Sequence, residues 1–168
     1  MMRKGEMKKQ KGFTVIETSL VIAIAGLIFL MVFIALPGLR AQQRDTDRRE
    51  DVTELIQKIK DYQTNNRGAL PSDWNAFRNE YLGGDDFMDP NGTEYSFTNI
   101  QCEQNQLDVP CNSSDLDKLA STGFPNGYRI YIVTEATCSG EKAVRSSNPR
   151  KVAVLYRLEQ AGIYCQNS

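Results

Sequence analysis

The sequence predicts an α+β protein, in which a long N-terminal helix packs on a small antiparallel β-sheet. Three observations support this fold class. The first is an uncharged, mostly apolar run from Thr18 to Leu39. The second is an amphipathic helical pattern that continues directly from that run. The third is a set of segments rich in β-branched and aromatic residues, which lie towards the end of the chain.

The apolar run is long enough to cross a membrane as a helix. From Thr18 to Leu36 it holds 19 residues. These give about 28 Å of helix, close to the roughly 30 Å hydrocarbon thickness of a bilayer. A secretory signal peptide usually has a shorter apolar region and ends in a cleavage site of small residues. Pro37 and Gly38 predict that the helix weakens or kinks where it leaves the membrane.

Beyond Arg40 the predicted helix becomes polar and then amphipathic. The closely mixed charges from Arg40 to Asp51 are typical of a solvated helix face. An apolar stripe with helical spacing follows, formed by Val52, Leu55, Ile56, Ile59 and Tyr62. We expect this stripe to pack on the sheet and the helix to end near Gln63, before Pro71.

The rest of the chain predicts short elements separated by turns. Short helices are expected at Ser72–Tyr81 and Ser114–Ser121, a short strand at Glu94–Thr98, and a turn at Asp89–Gly92. Longer strands are predicted at Gly127–Thr134 and Lys151–Leu158, with a third at Gly162–Cys165. We expect these three strands to form an antiparallel meander with one face against the apolar stripe.

The four cysteines all lie in the C-terminal half of the chain. Because their number is even and the N-terminus targets a membrane, two disulfides formed in an oxidising compartment are expected. Three pairings are possible, and we favour Cys102–Cys111 together with Cys138–Cys165. The loop-entropy model assigns these two bonds about 2.7 and 3.6 kcal/mol.

Composition excludes several kinds of function. The chain has no histidine, which excludes Ser-His-Asp and Cys-His catalysis and any His-ligated metal site. We therefore expect no enzymatic activity, no cofactor and no metal. Asp85, Asp86, Asp89 and Asn91 could bind a hard cation such as calcium. Their spacing does not fit an EF-hand loop, so a turn with solvated carboxylates is the preferred interpretation.

Charge does not indicate a nucleic-acid-binding protein. The net charge is −1, which provides no overall basic field. A small basic cluster is formed by Lys142, Arg145, Arg150 and Lys151. It could contact DNA phosphates or an anionic cell surface, but a solvated loop explains it equally well.

The residues before the apolar run carry the most specific pattern. Residues 1–12 hold five Lys or Arg against Glu6, a net charge of +4, and end in Gly12. The segment Phe13–Glu17 follows, and then the apolar helix. This order resembles the processing site of type IV prepilins and pseudopilins. There a short basic leader ends in Gly, and Glu occupies the fifth position of the mature chain.

The resemblance implies specific roles for three residues. A prepilin peptidase would cleave between Gly12 and Phe13 and N-methylate the new amine of Phe13. Glu17 would set the register between subunits by pairing with the Phe13 amine of a neighbouring copy in a dry filament core. Taken alone, Glu17 also has a simpler interpretation as a marker of the membrane boundary.

The resemblance extends over about the first 95 residues. It implies three regions: a leader removed on maturation (1–12), a transmembrane and filament-core helix (13–39), and an extracellular globular domain (40–168) that includes the amphipathic half of the helix (40–63). The segment Asp89–Tyr95 resembles the D-P-x-G-x-x-Y turn of the major pseudopilins of type II secretion. The implied fold is therefore the pilin fold.

The implied function is that of a structural subunit of an extracellular filament, which serves adhesion, twitching motility or DNA uptake. The subunit would cross the cytoplasmic membrane once before assembly. The implied partners are other copies of the chain, prepilin peptidase, the pilus assembly platform, minor pilins, membrane lipid and a host or partner cell surface. The alternatives are a type II secretion major pseudopilin and a single-span membrane protein with an outer binding domain.

Overall fold

The computed structural model describes residues 12–83, 87–104, 106–112, 114–120, 128–160 and 162–168. Within these residues the chain forms three helices and six strands. The helices are α1 (Val15–Asn65), α2 (Trp74–Tyr81) and α3 (Ser114–Ala120). The strands are β1 (Ser96–Gln101), β2 (Arg129–Thr134), β3 (Ala136–Ser139), β4 (Lys142–Arg145), β5 (Val152–Arg157) and β6 (Ile163–Asn167). The predicted α+β class is confirmed.

The chain divides into two compact units, one up to Leu39 and the other from Arg40 to Ser168. The boundary lies within α1, shortly after Pro37, and α1 continues through that proline. Proline lacks the N–H that would donate to the preceding turn, so one helical hydrogen bond is missing there. The helix does not end at this point, and its observed C-terminus is close to the predicted one.

In the first unit the apolar side chains of α1 are exposed to solvent. The exposed fraction is 89% for Phe13 and 72% for Phe33. Among the described residues, α1 is long and apolar enough to cross a membrane, and its most apolar stretch is not buried. A helix with this much exposed apolar surface needs lipid or other helices around it.

The second unit contains a four-stranded sheet with strand order β1-β2-β5-β6. The pairs β2–β5 and β5–β6 are antiparallel, which confirms the predicted meander. β1, however, is parallel to β2, so the sheet is mixed. The physical reason is the long connection between these two strands, which contains α3 and allows the crossover that parallel pairing needs.

A separate two-stranded sheet is formed by β3 and β4, an antiparallel hairpin that the sequence analysis did not predict. Its turn contains Gly140 with a φ of 61°. This left-handed conformation is accessible to glycine at little cost. The strands are short and only partly apolar, so their pattern was too weak to identify them from the sequence.

The four-stranded sheet separates two apolar clusters. The cluster on the α1 side includes Val52, Leu55, Ile56, Ile59, Ile130, Ile132, Val152, Val154 and Tyr156. The other includes Cys102, Cys111, Leu119, Tyr131, Val133, Ala153 and Leu155. Because successive residues of a strand face opposite sides, burial on both faces explains the continuous apolar runs of β2 and β5. The apolar stripe of α1 packs on the sheet as predicted.

Candidate processing and assembly site

The start of α1 is a capping box formed by Thr14 and Glu17. Thr14 immediately precedes Val15, the first helical residue. Oε2 of Glu17 accepts hydrogen bonds from the backbone N–H and from Oγ1 of Thr14, both at 2.8 Å. In return, the N–H of Glu17 donates to Oγ1 of Thr14 at 3.3 Å. This exchange satisfies donors that the first turn of a helix leaves unpaired.

The capping box uses only one of the two carboxylate oxygens. Within the described residues, Oε1 of Glu17 accepts no hydrogen bond. The side chain of Glu17 is exposed, and its negative charge lies at the positive end of the helix dipole. The carboxylate is therefore oriented by its own chain while one oxygen stays available to a further donor.

Gly12 and Phe13 lie just before the helix, in residues without regular secondary structure. A Cβ atom added at Gly12 would meet no heavy atom within 4 Å among the described residues. The peptide bond between these residues is thus open to solvent. Residues 1–11, the rest of the predicted leader, lie outside the described residues.

Glu17 was predicted from the sequence as a site residue, but its hydrogen bonds with Thr14 were not. The signal was present, since Thr followed three residues later by Glu before an apolar run is a capping-box signature. The explanation of Glu17 as a marker of the membrane boundary is therefore incomplete, because this carboxylate also closes the first turn of α1.

The N-terminal pattern is matched by a known family model. The model described as the prokaryotic N-terminal methylation motif matches residues 7–33, which include Gly12, Phe13 and Glu17. This match supports a type IV pilin-like or pseudopilin-like protein. The match also supports a class III signal peptide of the type IV pilin kind, and the apolar part of α1 fits membrane anchoring. No curated protein and no solved structure shows significant similarity to the chain.

The cysteines form two disulfides, Cys102–Cys111 and Cys138–Cys165. These are the pairs favoured from the sequence. The first closes a loop whose end is bound to β4, because the N–H of Cys111 donates to the carbonyl of Ala143 at 2.9 Å. The second links β3 to β6, so the hairpin is tied covalently to the main sheet.

A buried ionic cluster connects α1 to two loops within the second unit. Arg48, only 3% exposed, donates to both carboxylate oxygens of Asp89, from Nε at 2.7 Å and from Nη2 at 3.1 Å. Its Nη1 donates to Asp45 at 3.1 Å and to Glu159 at 2.7 Å. Burial alone would lower the pKa of Arg48, but the hydrogen bonds to Asp89 and Glu159 outweigh it and raise that pKa.

Glu159 lies at the partly exposed side of this ionic cluster. Arg44 donates to its two oxygens at 2.9 and 2.7 Å. The hydrogen bond from Arg44 lowers the pKa of Glu159, and the hydrogen bond from Arg48 lowers it further. Burial raises this pKa, but the two arginines outweigh burial, and the pKa is about 2. The carboxylate of Asp45 accepts from the backbone N–H groups of Glu159 and Gln160, at 2.8 and 3.0 Å, and so holds the β5–β6 turn.

Asp89 also organises the turn predicted at Asp89–Gly92. The N–H of Asn91 donates to Oδ1 of Asp89 at 3.0 Å, and the N–H of Gly92 donates to its carbonyl at 2.7 Å. The turn is confirmed, but the expectation that its carboxylates are solvated is wrong for Asp89, which is 2% exposed. Asp85 and Asp86 lie outside the described residues. Among the described residues, no group of three or more acidic side chains or cysteines is placed to hold a metal ion.

The turn motif ends at Tyr95, which also bonds to α1. Its hydroxyl donates to the carboxylate of Asp51 at 2.6 Å. Burial raises the pKa of the Tyr95 hydroxyl. Burial also raises the pKa of Asp51, and this effect outweighs the hydrogen bond from Tyr95, which lowers the pKa of Asp51. The segment Asp89–Tyr95 is therefore attached to the helix at both ends, by Arg48 and by Asp51.

The basic cluster expected from the sequence is partly neutralised within the domain. Arg145 forms an ion pair with Glu135 at 2.5 Å and donates to the carbonyl of Cys102. Lys151 donates to the carbonyl of Ser168 at 2.6 Å. The cluster thus offers fewer free charges to an anionic partner than the sequence indicated.

Proposed function

We propose that the chain is a structural subunit of a type IV pilus-like extracellular filament, assembled through residues 13–39. The observation that carries the proposal is the exposure of the large apolar side chains of α1 in this segment, most of which lies within the methylation motif at residues 7–33. Such a helix is satisfied by lipid before assembly and by neighbouring copies of itself afterwards. Removal of the basic leader would free the segment for this exchange.

Maturation would supply the partner of Glu17. Cleavage between Gly12 and Phe13 by prepilin peptidase leaves a positively charged, N-methylated amine on Phe13. In the dry core of a filament the carboxylate of Glu17 would be costly unless it were paired. The Phe13 amine of a neighbouring copy provides that pair at Oε1, while Thr14 holds Oε2. Glu17 would thereby fix the register between successive subunits.

The second unit would face the outside of the cell and of the filament. Its two disulfides support an oxidising compartment. On this proposal the assembly platform and minor pilins are further partners, and the filament serves adhesion, twitching motility or DNA uptake. We assign no catalytic role to the chain.

One structural feature favours a second candidate function, that of a major pseudopilin of type II secretion. In the segment Asp89–Tyr95, which resembles the pseudopilin turn, the two end residues are buried and residues 90–94 are exposed. Asp89 is bound to Arg48 and Tyr95 to Asp51. The two candidates differ in location, since a pseudopilin would support the secretion of other proteins and would not form a surface filament.

Mass spectrometry tests the proposal at its first step. The full chain is expressed in a membrane together with a prepilin peptidase, and its N-terminus is read. A chain that begins at N-methylated Phe13 is the expected result. An intact leader would contradict the proposal and would favour a single-span membrane protein with an outer binding domain.

A second experiment tests the register role of Glu17. The variant Glu17→Ala should still be processed, but it should assemble into few filaments when seen by electron microscopy. The matched control is Glu54→Ala, which removes an exposed carboxylate of α1 in the second unit and should leave assembly unchanged. Normal filaments from Glu17→Ala would refute the register role without affecting the cleavage result.

A further inference from the structure

One edge of the four-stranded sheet is formed by β1, since the strand order is β1-β2-β5-β6. The hydrogen bonds between β1 and β2 identify which residues face the sheet. The N–H of Ser96 donates to the carbonyl of Tyr128 at 2.9 Å, and that of Cys102 to the carbonyl of Thr134 at 3.2 Å. In a parallel pair, alternate residues face the neighbouring strand. The even-numbered residues of β1 therefore bond to β2, and the odd-numbered ones point away from it.

The outward backbone groups of β1 belong to Phe97, Asn99 and Gln101. In the described part of the chain, their N–H and C=O groups have no partner. The preceding outward carbonyl, that of Tyr95, accepts from Arg78 at 3.0 Å, so the edge is closed before the strand begins. Asn99 and Gln101 are exposed and Phe97 is half-buried. The open edge is thus the stretch from Phe97 to Gln101.

The opposite edge of the sheet is formed by β6. There the disulfide Cys138–Cys165 holds β3 beside β6. The N–H of Cys138 also donates to the side chain of Asn167 at 2.5 Å. Within the described residues, β3 thus lies next to β6, whereas no strand pairs with the outer side of β1.

β1 also lacks the sequence features that usually prevent strand pairing. Its sequence, Ser-Phe-Thr-Asn-Ile-Gln, contains no charged residue and no proline. Natural edge strands generally carry a charge, a proline or a covering element, because an unprotected edge pairs with other strands. The open edge therefore has the properties of a pairing surface.

We propose that β1 pairs with β1 of a second copy of this chain, antiparallel and centred on Asn99. In this register Asn99 lies opposite Asn99 of the second copy, and Phe97 lies opposite Gln101. All three outward residues then form hydrogen-bonded pairs, so each unsatisfied N–H and C=O of the edge gains a partner.

The second copy is the occupant that fits the chemistry of this edge. A self-pair of neutral strands places no like charges opposite each other, whereas a charged partner strand would find no opposite charge on β1. The two Asn99 side chains can each donate to and accept from the other. A contact between two short strands is small, so it is weak for an isolated pair.

The strength of this contact in the cell rests on the proposed filament function. A filament repeats the edge many times, and repeated weak contacts between two filaments add to a firm lateral association. A two-fold contact joins the copies of different filaments, because it cannot propagate along one filament axis. The pairing itself is a property of the second unit and can be tested without any filament.

A charge-swap experiment on the full chain in detergent micelles tests the pairing. Asn99 is exposed, so Asn99→Lys and Asn99→Asp should fold normally. Each variant alone places like charges opposite each other and should lose self-association in analytical ultracentrifugation. An equal mixture of the two should recover it, because Lys then lies opposite Asp. Recovery in the mixture requires that position 99 of one copy faces position 99 of the other.

Two further measurements complete the test. In the wild-type chain, the amides of Phe97, Asn99 and Gln101 should exchange hydrogen more slowly at high than at low protein concentration. The control pair Ser147→Lys and Ser147→Asp changes an exposed loop residue and should leave association unchanged. Exchange independent of concentration, or a mixture that associates no better than either variant, would overturn the proposal. Neither outcome would bear on cleavage before Phe13, which tests the filament separately.

Discussion

The guanidinium of Arg48 and the carboxylate of Asp89 form a bidentate ion pair, with N–O distances of 2.7 and 3.1 Å, although 41 residues separate them in the chain. The side chain of Asp89 is completely buried, and the hydroxyl of Tyr156 donates to it at 2.8 Å. The ion pair attaches the turn at Asp89–Gly92 to α1. A buried charge of this kind is tolerated because all its partners are in place.

Removal of Arg48 should destabilise the second unit strongly. The variant Arg48→Met keeps most of the side-chain volume but leaves Asp89 buried without a cation. Loss of one partner of a buried ion pair costs about 3–5 kcal/mol. The free energy of unfolding of the full chain in detergent, measured with urea, should fall by this amount.

The matched control for this prediction is Arg40→Met. Arg40 is an exposed arginine of the same helix, so its replacement should change the free energy of unfolding by about 0.5 kcal/mol or less. Equal effects of the two substitutions would show that the pair between Arg48 and Asp89 does not stabilise the fold.

Glu159 should make stability depend on pH in the acid range. Its pKa is lowered from 4.5 to about 2 in the folded chain, so the ionised form stabilises the fold. This contribution is complete above about pH 4.5 and is lost as pH falls towards 2. Because a third of the side chain is exposed, solvent screening limits the effect to about 1 kcal/mol.

The variant Glu159→Gln isolates this contribution. The difference in free energy of unfolding between wild type and variant should shrink between pH 4.5 and 2. Asp51, whose pKa is raised by burial, acts in the opposite sense but is present in both proteins and cancels. A difference that stays constant over this range would contradict the role of Glu159.

The two disulfides should contribute unequally to stability. Cys138 and Cys165 are 27 residues apart, whereas Cys102 and Cys111 are separated by nine. The loop-entropy model therefore predicts losses of about 3.6 and 2.7 kcal/mol. Double variants in which each pair is changed to alanine should show this order in urea unfolding. Peptide mapping without reduction checks the pairing itself, and any crossed pair would contradict it.

Thr14 should control the first turn of α1. The variant Thr14→Val keeps the shape of the side chain but removes the hydroxyl that donates to Glu17. Loss of an N-cap costs about 1 kcal/mol, so the amides of the first turn should exchange hydrogen faster in micelles. Thr14→Ser keeps the hydroxyl and should behave as wild type. Identical exchange in both variants would show that the capping box does not hold the turn.

Several parts of this fold were predictable because their signals are local. The apolar run and the stripe from Val52 to Tyr62 follow from helical periodicity alone, and the motif around Gly12 and Phe13 from a fixed order of residues. The capping box of Thr14 was equally readable and was overlooked. In each of these cases, neighbours within four residues decide the structure.

The tertiary structure alone decided which distant groups meet. Arg48 lies among the closely mixed charges of α1, and nothing in the neighbouring sequence distinguishes this buried arginine from the solvated charged residues around it. Its burial depends on Asp89 arriving from a remote turn. Likewise, the parallel pairing of β1 with β2 depends on the path of the intervening chain. Local patterns have similar energies in many folds, whereas these contacts exist only when one global arrangement brings complementary groups together.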